Sequence, residues 1–323
     1  MKSFNAVVRM VTVGVLMAVA GAAAAQQAYP NKAIRFIIPY PPGGSSTPLA
    51  RIFAQKLTES WGQQVIVDNR GGGNTVIGTE LVARAPADGY TILMASPSLV
   101  INPSLITTSY DAIKDFAPVA TLVGSVIILG ANPSLPANTL QELVALAKSR
   151  PGELNFVSGS AGGLPHLSGE LFNILAGVKL QHVPYKGGGQ ALTDLMGGQV
   201  QLCFFTPFIL PHIKSGKLKA IAVTGKTRMP ALPQVPTFGQ AGLPGYDVNN
   251  WFGVVAPAGT PKPVIDKLSS EIGRILDMPD VKESLDKLGV DPLISSAEAY
   301  GALMKADVIK WRNVIKTAKI KLD

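Results

Sequence analysis

Four times along this chain of 323 residues an apolar run gives way to glycines with hydroxyl or amide side chains, and then to a helical pattern. This repeated junction limits the fold more than any other feature. A strand entering a helix through glycine implies a βα unit, and a series of them implies a parallel sheet with covering helices. The first unit has a strand at 36–38, a Pro/Gly turn at 39–44, then Ser45, Ser46 and Thr47. Thr47 is predicted as N-cap with Pro48 as first helical residue, and Leu49, Ile52, Phe53 and Leu57 share one helix face. The second has a strand at 64–68, a junction at 69–75 and a helix at 76–85. The third has a strand at 154–157, a junction at 158–166 and a helix to about 175. The fourth has a strand at 180–183, a junction at 184–189 and a helix at 190–196.

Two junctions precede and two follow a predicted crossover near residue 128, which divides the chain. The expected domains are 26–127 plus 250–323, and 128–249. Further strands are predicted at 91–94, 126–129, 200–205, 218–223 and 251–256, and the Pro/Gly-rich stretch 228–245 as a surface connection. Thr260 is expected to cap one helix, another follows Pro279, and Ser295 with Glu298 forms a capping box for a last helix to about Thr317. That C-terminal block is expected on the first domain. In open α/β sheets ligands sit beyond the carboxyl ends of the strands, where helix N–H groups and dipoles favour an anion. Two such domains facing each other describe a clamp that closes on an anion.

Residues 1–25 stand apart. Lys2 and Arg9 form a basic start, residues 10–20 are apolar apart from one Thr, and Ala23-Ala24-Ala25 precedes Gln26. This is the pattern of a cleaved secretory signal. Without Lys2 and Arg9, 27 basic residues face 21 acidic ones, about +6 and too scattered for a nucleic-acid surface. Cys203 is the only cysteine, so no intrachain disulfide can form.

Little reactive chemistry is visible. His166, His182 and His212 show no metal-ligand spacing, so no metal and no cofactor is expected. His166, early in a helix, is compatible with a structural hydrogen bond or with a place behind the ligand; His182 and His212 are expected to be structural. The glycine runs 71–73 and 187–189 lack the third glycine of a dinucleotide fingerprint. AIAVTGKT at 220–227 resembles a loose P-loop, but its start has strand character and Pro230 and Pro233 forbid the following helix. Asp68 and Asp194 are the carboxylates nearest to a junction, and neither lies in a glycine loop. Tyr40, Tyr185 and Trp251 could wall the cleft or pack in the core. A site rich in backbone donors and poor in bases binds without transforming.

The runs YPNKAIRFIIPYPPGG, VDNRGGGNTVIG, APADGYTIL, KDFAPVA, PGELNFVSGSAGGLPHLSGELF, HVPYKGGGQALTDLMGGQV, LPHIKSGKLKAIAV, LPQVPTF with AGLPGY, and WFGVVAPAGTP closely resemble the tripartite tricarboxylate transporter (Bug-type) periplasmic receptors. The resemblance spans essentially the whole mature chain. It implies a type II periplasmic-binding fold, two α/β domains joined by a two-strand hinge around a cleft. It also implies a monomeric, non-enzymatic receptor that captures a small mono- or dicarboxylate, aromatic acids included, for one large and one small integral membrane subunit. The binding positions it implies are Tyr40, Pro42, Gly43, Gly44, Ser45, Ser46, Thr47, Gly72, Gly73 and Asn74, with Ser158, Ser160, Ala161, Gly162, His166 and Tyr185 from the second domain. Members commonly carry Asp where Thr47 stands, and another near Phe205. Their loss predicts a less polar pocket with Phe205 or Phe208 against the ligand body, and disfavours amino acids. The rival roles are a ligand sensor for a signalling receptor and a secreted hydrolase.

Overall fold

The computed structural model describes residues 29–42, 46–185 and 187–322. The predicted signal, and Gly43, Gly44 and Ser45 of the first junction, lie outside the described residues. The strands in chain order are β1 (Ile34–Ile38), β2 (Val65–Asn69), β3 (Thr91–Ala95), β4 (Phe116–Ser125), β5 (Ile128–Ala131), β6 (Asn155–Ser158), β7 (Gln181–Pro184), β8 (Leu202–Phe205), β9 (Lys219–Val223), β10 (Asn250–Pro257) and β11 (Asp291–Pro292). They form two sheets, ordered β11-β4-β10-β3-β1-β2 and β7-β6-β8-β5-β9. β1 runs parallel to β2 and β3, and β6 parallel to β7 and β8, as their glycine junctions require. β10 and β5 enter their sheets antiparallel.

The helices are α1 (Ser46–Trp61), α2 (Val76–Ala83), α3 (Pro97–Ile101), α4 (Leu140–Ser149), α5 (Leu164–Ala176), α6 (Gly188–Met196), α7 (Leu210–Lys214), α8 (Lys262–Leu276), α9 (Pro279–Leu288) and α10 (Ala297–Thr317). Apolar faces explain their placement: Leu49, Phe53 and Leu57 of α1 are buried with Ile34, Phe36 and Ile38 of β1 in one cluster. In the second sheet Ala191, Leu192 and Leu195 of α6 are buried with Cys203 and Phe205 of β8.

The chain crosses between the sheets twice. From β4 to β5 it passes through Val126 and Ile127, and it returns between β9 and β10. The crossings are tied together, since Ile127 N–H donates to Thr224 Oγ1 (2.8 Å) and Thr224 N–H to the Ile127 carbonyl (2.9 Å). Thr224 belongs to the P-loop look-alike, whose first half is strand β9 and whose threonine braces a crossing.

Several expectations need correction. Residues 116–125 form a ten-residue strand where none was foreseen, because Pro118 argues against one. A bulge in β4, with Val119 unpaired between the Val254–Ala120 and Val255–Pro118 pairs, accommodates the missing N–H. Helix α1 begins at Ser46, so Thr47 is already helical. Thr260 does not cap α8; its hydroxyl donates to the Pro257 carbonyl. Ser296, not Ser295, caps α10, and Ser295 Oγ instead accepts from the Thr121 N–H (3.3 Å).

The stretch 228–245 carries no helix or strand, yet it buries Leu232, Val235, Phe238 and Ala241, so it is a packed strap and not a surface connection. α10 packs on β4 and also on α5, beyond the first sheet. One buried apolar cluster accordingly runs through both halves, from Ile37 and Leu93 to Phe156 and Leu167, with Trp251 and Trp311 inside it.

Candidate ligand-binding cleft

A cleft of about 850 Å³ opens between the two sheets. Its first wall comes from the β1–α1 junction, with Tyr40, Pro41, Pro42 and Ser46. Its second comes from Gly187, Gly188 and Gly189 at the start of α6, with Thr206, Pro207 and Phe208 after β8. Its floor is the crossing itself, Ser125 of β4 and Asn250 of β10. Phe252 and residues 288–290 complete the lining.

The first wall is braced from behind. Both N–H groups of the Asn69 side-chain amide donate across the loop, to the Tyr40 carbonyl (3.0 Å) and to Thr47 Oγ1 (2.9 Å). One side chain at the end of β2 therefore holds both shoulders of the β1–α1 turn. Tyr40 OH bonds Ser96 Oγ at 2.7 Å, and burial pushes its pKa up, so it stays a neutral phenol. Its ring meets Phe252 edge-on, with centroids 6.5 Å apart.

The β2–α2 junction supports this turn. A Cβ on Gly71 would stand 2.6 Å from the Pro41 nitrogen, so only glycine lets the two loops touch. The next four residues all have positive φ: Gly72 (122°), Gly73 (54°), Asn74 (53°) and Thr75 (78°). For Thr75, β-branched, this conformation costs on the order of 1–3 kcal/mol. The fully buried Asn102 holds it there. Its Nδ2 donates to the Asn74 carbonyl (2.6 Å) and Thr75 Oγ1 (3.2 Å), while its Oδ1 accepts from Asn74 Nδ2 (3.0 Å).

Across the cleft the β6–α5 junction is held by histidines. Ser158 Oγ has one proton and two neighbours, the Ser160 carbonyl (2.8 Å) and His182 Nε2 (2.7 Å). The carbonyl can only accept, so Ser158 donates to it and His182 donates to Ser158 through Nε2–H. Burial, with the neighbouring His166, lowers the His182 pKa to about 3, which keeps the ring neutral. His166 stacks on it, centroids 3.6 Å apart, and its Nδ1 accepts from Gly162 N–H (2.9 Å).

Of the sequence-predicted positions, Tyr40, Pro42 and Ser46 line the cleft. Thr47 is buried against Asn69. Gly72, Gly73 and Asn74 stand behind the first wall, outside the cleft lining. Ser158 and His166 are buried and engaged within their own loop, which with Ser160, Ala161 and Gly162 also lies outside that lining. Gly162 packs instead against Leu105 and Leu322. Tyr185 turns toward α6, donating to Asp194 Oδ2 (2.6 Å), a bond that raises its pKa. Phe205, expected against the ligand, is instead buried in the core of the second sheet, where β8 is covered on both faces. Trp251 is also core, donating to Asp307 Oδ2 at 2.8 Å. Phe208, nearly half exposed, is the aromatic residue that the second wall presents.

Sequence reasoning missed Ser125, Asn250, Phe252, Thr206 and residues 288–290. Asn250 Nδ2 donates to Ser125 Oγ (2.9 Å), and the two residues are paired across β4 and β10. That register joins positions 125 apart, and no local pattern announces it.

The Ser158–His182 pair is no catalytic dyad. The serine is fully buried, its proton is committed to a carbonyl, and His182 donates to it and so is not placed as its base. Asp68 is occupied too: burial raises its pKa, but Arg35 and Arg70, at 2.6 and 2.9 Å, outweigh that and hold the carboxyl below its usual range. Among the described residues no His/Cys/Asp/Glu group could hold a metal ion, and no helix is long and apolar enough to cross a membrane.

Two α/β sheets, a double crossing and a cleft faced by helix starts from both sides define the type II periplasmic-binding fold. Residues 49–320 match the model of the tripartite tricarboxylate transporter family receptor, and the chain belongs to that family. Among curated proteins it is 37% identical to Protein BugT of Bordetella pertussis over 320 residues, 97% of this chain and 98% of that one. Among solved structures it is similar to Rpa4515 of R. palustris with adipate, at 34% identity and TM-score 0.78, covering 91% of this chain and 99% of that one. It is also similar to MatC of Rhodopseudomonas palustris with bound malate, at 30% identity and TM-score 0.74, covering 89% of this chain and 100% of that one.

Proposed function

We propose that this protein is a periplasmic receptor that captures a small carboxylate between two lobes and hands it to the large and small membrane subunits of a tripartite transporter. The lobes would be residues 26–127 with 250–323, and residues 128–249, the first 25 being removed on export. The observation that carries the reading is the cleft itself, where the starts of α1 and α6 face one another from different sheets. Their free N–H groups and dipoles favour an anion, and relatives of similar length were solved with adipate and malate.

A ligand that bridges both walls favours the state in which they are closest, so binding and closure are coupled. The crossing at Ile127 and Thr224, with the Ser125–Asn250 pair beside it, is where that motion is hinged. A thermal-shift screen of organic acids, with X-ray scattering on the hits, tests this. At least one acid should raise Tm and reduce the radius of gyration. Acids that leave both unchanged across the screen would refute it.

A further inference from the structure

Resting on that reading, we infer that Ser125 and Asn250, at the floor of the cleft, select the ligand: they favour an acid whose body carries a further polar oxygen over one whose body is wholly apolar. The two residues are paired across β4 and β10, and Asn250 Nδ2 donates to Ser125 Oγ at 2.9 Å. Strand alternation explains the placement, since Asn250 and Phe252 of β10 line the cleft while Trp251 between them is core. That one bond leaves most of the pair's capacity unused. Ser125 keeps its own O–H to donate, and Asn250 keeps its side-chain carbonyl oxygen and a second N–H. Neither side chain has another partner among the described residues. Both are half-buried in the lining, where water can serve them while the walls stand apart.

Their position gives this spare capacity a consequence. Ser125 is the last residue of β4, where the chain leaves for the second sheet, and Asn250 is the first of β10, after it has returned. The pair is therefore the last rung of the ladder before the pivot, and it is covered as the walls approach. Much of the remaining lining, Pro41, Pro42, Pro207, Phe208, Phe252 and Val290 among it, has no side-chain donor or acceptor. Closing over an apolar body would strip water from the pair and return nothing, and an unmade hydrogen bond costs more than a made one gains. A hydroxyl or carboxylate oxygen of the ligand restores the bond. Discrimination of this kind arises from the unpaired polar group in the wrong complex, and it acts whichever wall holds the first carboxylate.

Butyrate, 4-hydroxybutyrate and succinate share a four-carbon chain and differ only at its far end. Hexanoate, 6-hydroxyhexanoate and adipate repeat the comparison with six carbons. Titration of the full chain should give the oxygen-bearing acids of at least one series an affinity about tenfold or more above that of the plain fatty acid. The hydroxyl and carboxylate arms identify which oxygen the pair accepts. The double variant Ser125→Ala, Asn250→Leu should bring that series to within about threefold by weakening its oxygen-bearing members. Melting of the ligand-free variant checks its fold, and Ser125→Ala alone, which keeps the amide, should close part of the gap. Fatty acids that bind as tightly as their counterparts in both series, or a gap unmoved in both variants, would overturn the inference while leaving the carboxylate receptor intact. Failure of every acid to bind the natural protein would overturn both.

Discussion

The two walls of the cleft are built differently although both start from glycine-rich βα junctions. On the first wall the glycines are packed: a Cβ on Gly71 would strike the Pro41 backbone, and one on Gly78 would strike the Arg70 carbonyl at 2.7 Å. Asn69 and Asn102 pin the turns that those glycines allow to meet. On the second wall the packing is confined to the back: a Cβ on Gly159 would stand 2.9 Å from the Gly188 nitrogen, but one on Gly187 or Gly189 would meet nothing within 4 Å. Its most prominent side chain, Phe208, is anchored by one aromatic contact. The difference suits a receptor whose first wall is preformed for the group common to its ligands, and whose second wall can change to suit the remainder.

Substitutions that invert this packing should break the contrast. Gly71→Val should produce the largest effect, about 3 kcal/mol of destabilisation by overpacking against backbone that cannot yield. Urea unfolding would measure it, and a loss below about 1 kcal/mol would mean the first wall is as loose as the second.

The histidine stack behind the second lobe predicts a smaller effect that depends on pH. The unfolded His182 takes a proton near pH 6.5, whereas the folded ring resists it until about pH 3. The unfolded state therefore binds more protons across that window, and stability must fall as the pH drops from about 6.5 toward 3. One proton corresponds to a limit of about 1.4 kcal/mol per pH unit, and partial exposure of the ring reduces it. His182→Gln keeps a donor for Ser158 and should flatten the fall in urea midpoint; equal slopes in both proteins would remove the histidine from the account.

The smallest effect belongs to the open wall. Gly189→Ala, in the first turn of α6 with free space around it, should stabilise the protein by about 0.5–1 kcal/mol through helix propensity. Destabilisation there would show that the second wall is packed after all.

Much of the architecture was legible along the chain because it follows from local rules. β1 with α1, β2 with α2, β6 with α5 and β7 with α6 were each visible as an apolar run, a glycine turn and a helical stripe. β4 was not, since Pro118 hides it and only a bulge in β4 itself, next to that proline, makes room. Of the candidate positions, Tyr40, Pro42 and Ser46 were reached because they sit in a junction that faces the cleft. Ser158, Thr47 and Phe205 have the right residue types, yet hydrogen bonds or burial occupy them.

By itself the sequence determined the kinds of element, their order, the family resemblance and the scarcity of acid in the junction loops. These are properties of short windows, set by backbone sterics, periodicity and residue chemistry. The tertiary structure alone decided which junctions line the cleft and which stand behind it. It also decided that Ser125 meets Asn250 and that Phe208, not Phe205, faces the gap. Those outcomes depend on pairing between distant segments and on which side of a strand faces the core, and contacts of that kind form only when the whole chain has packed.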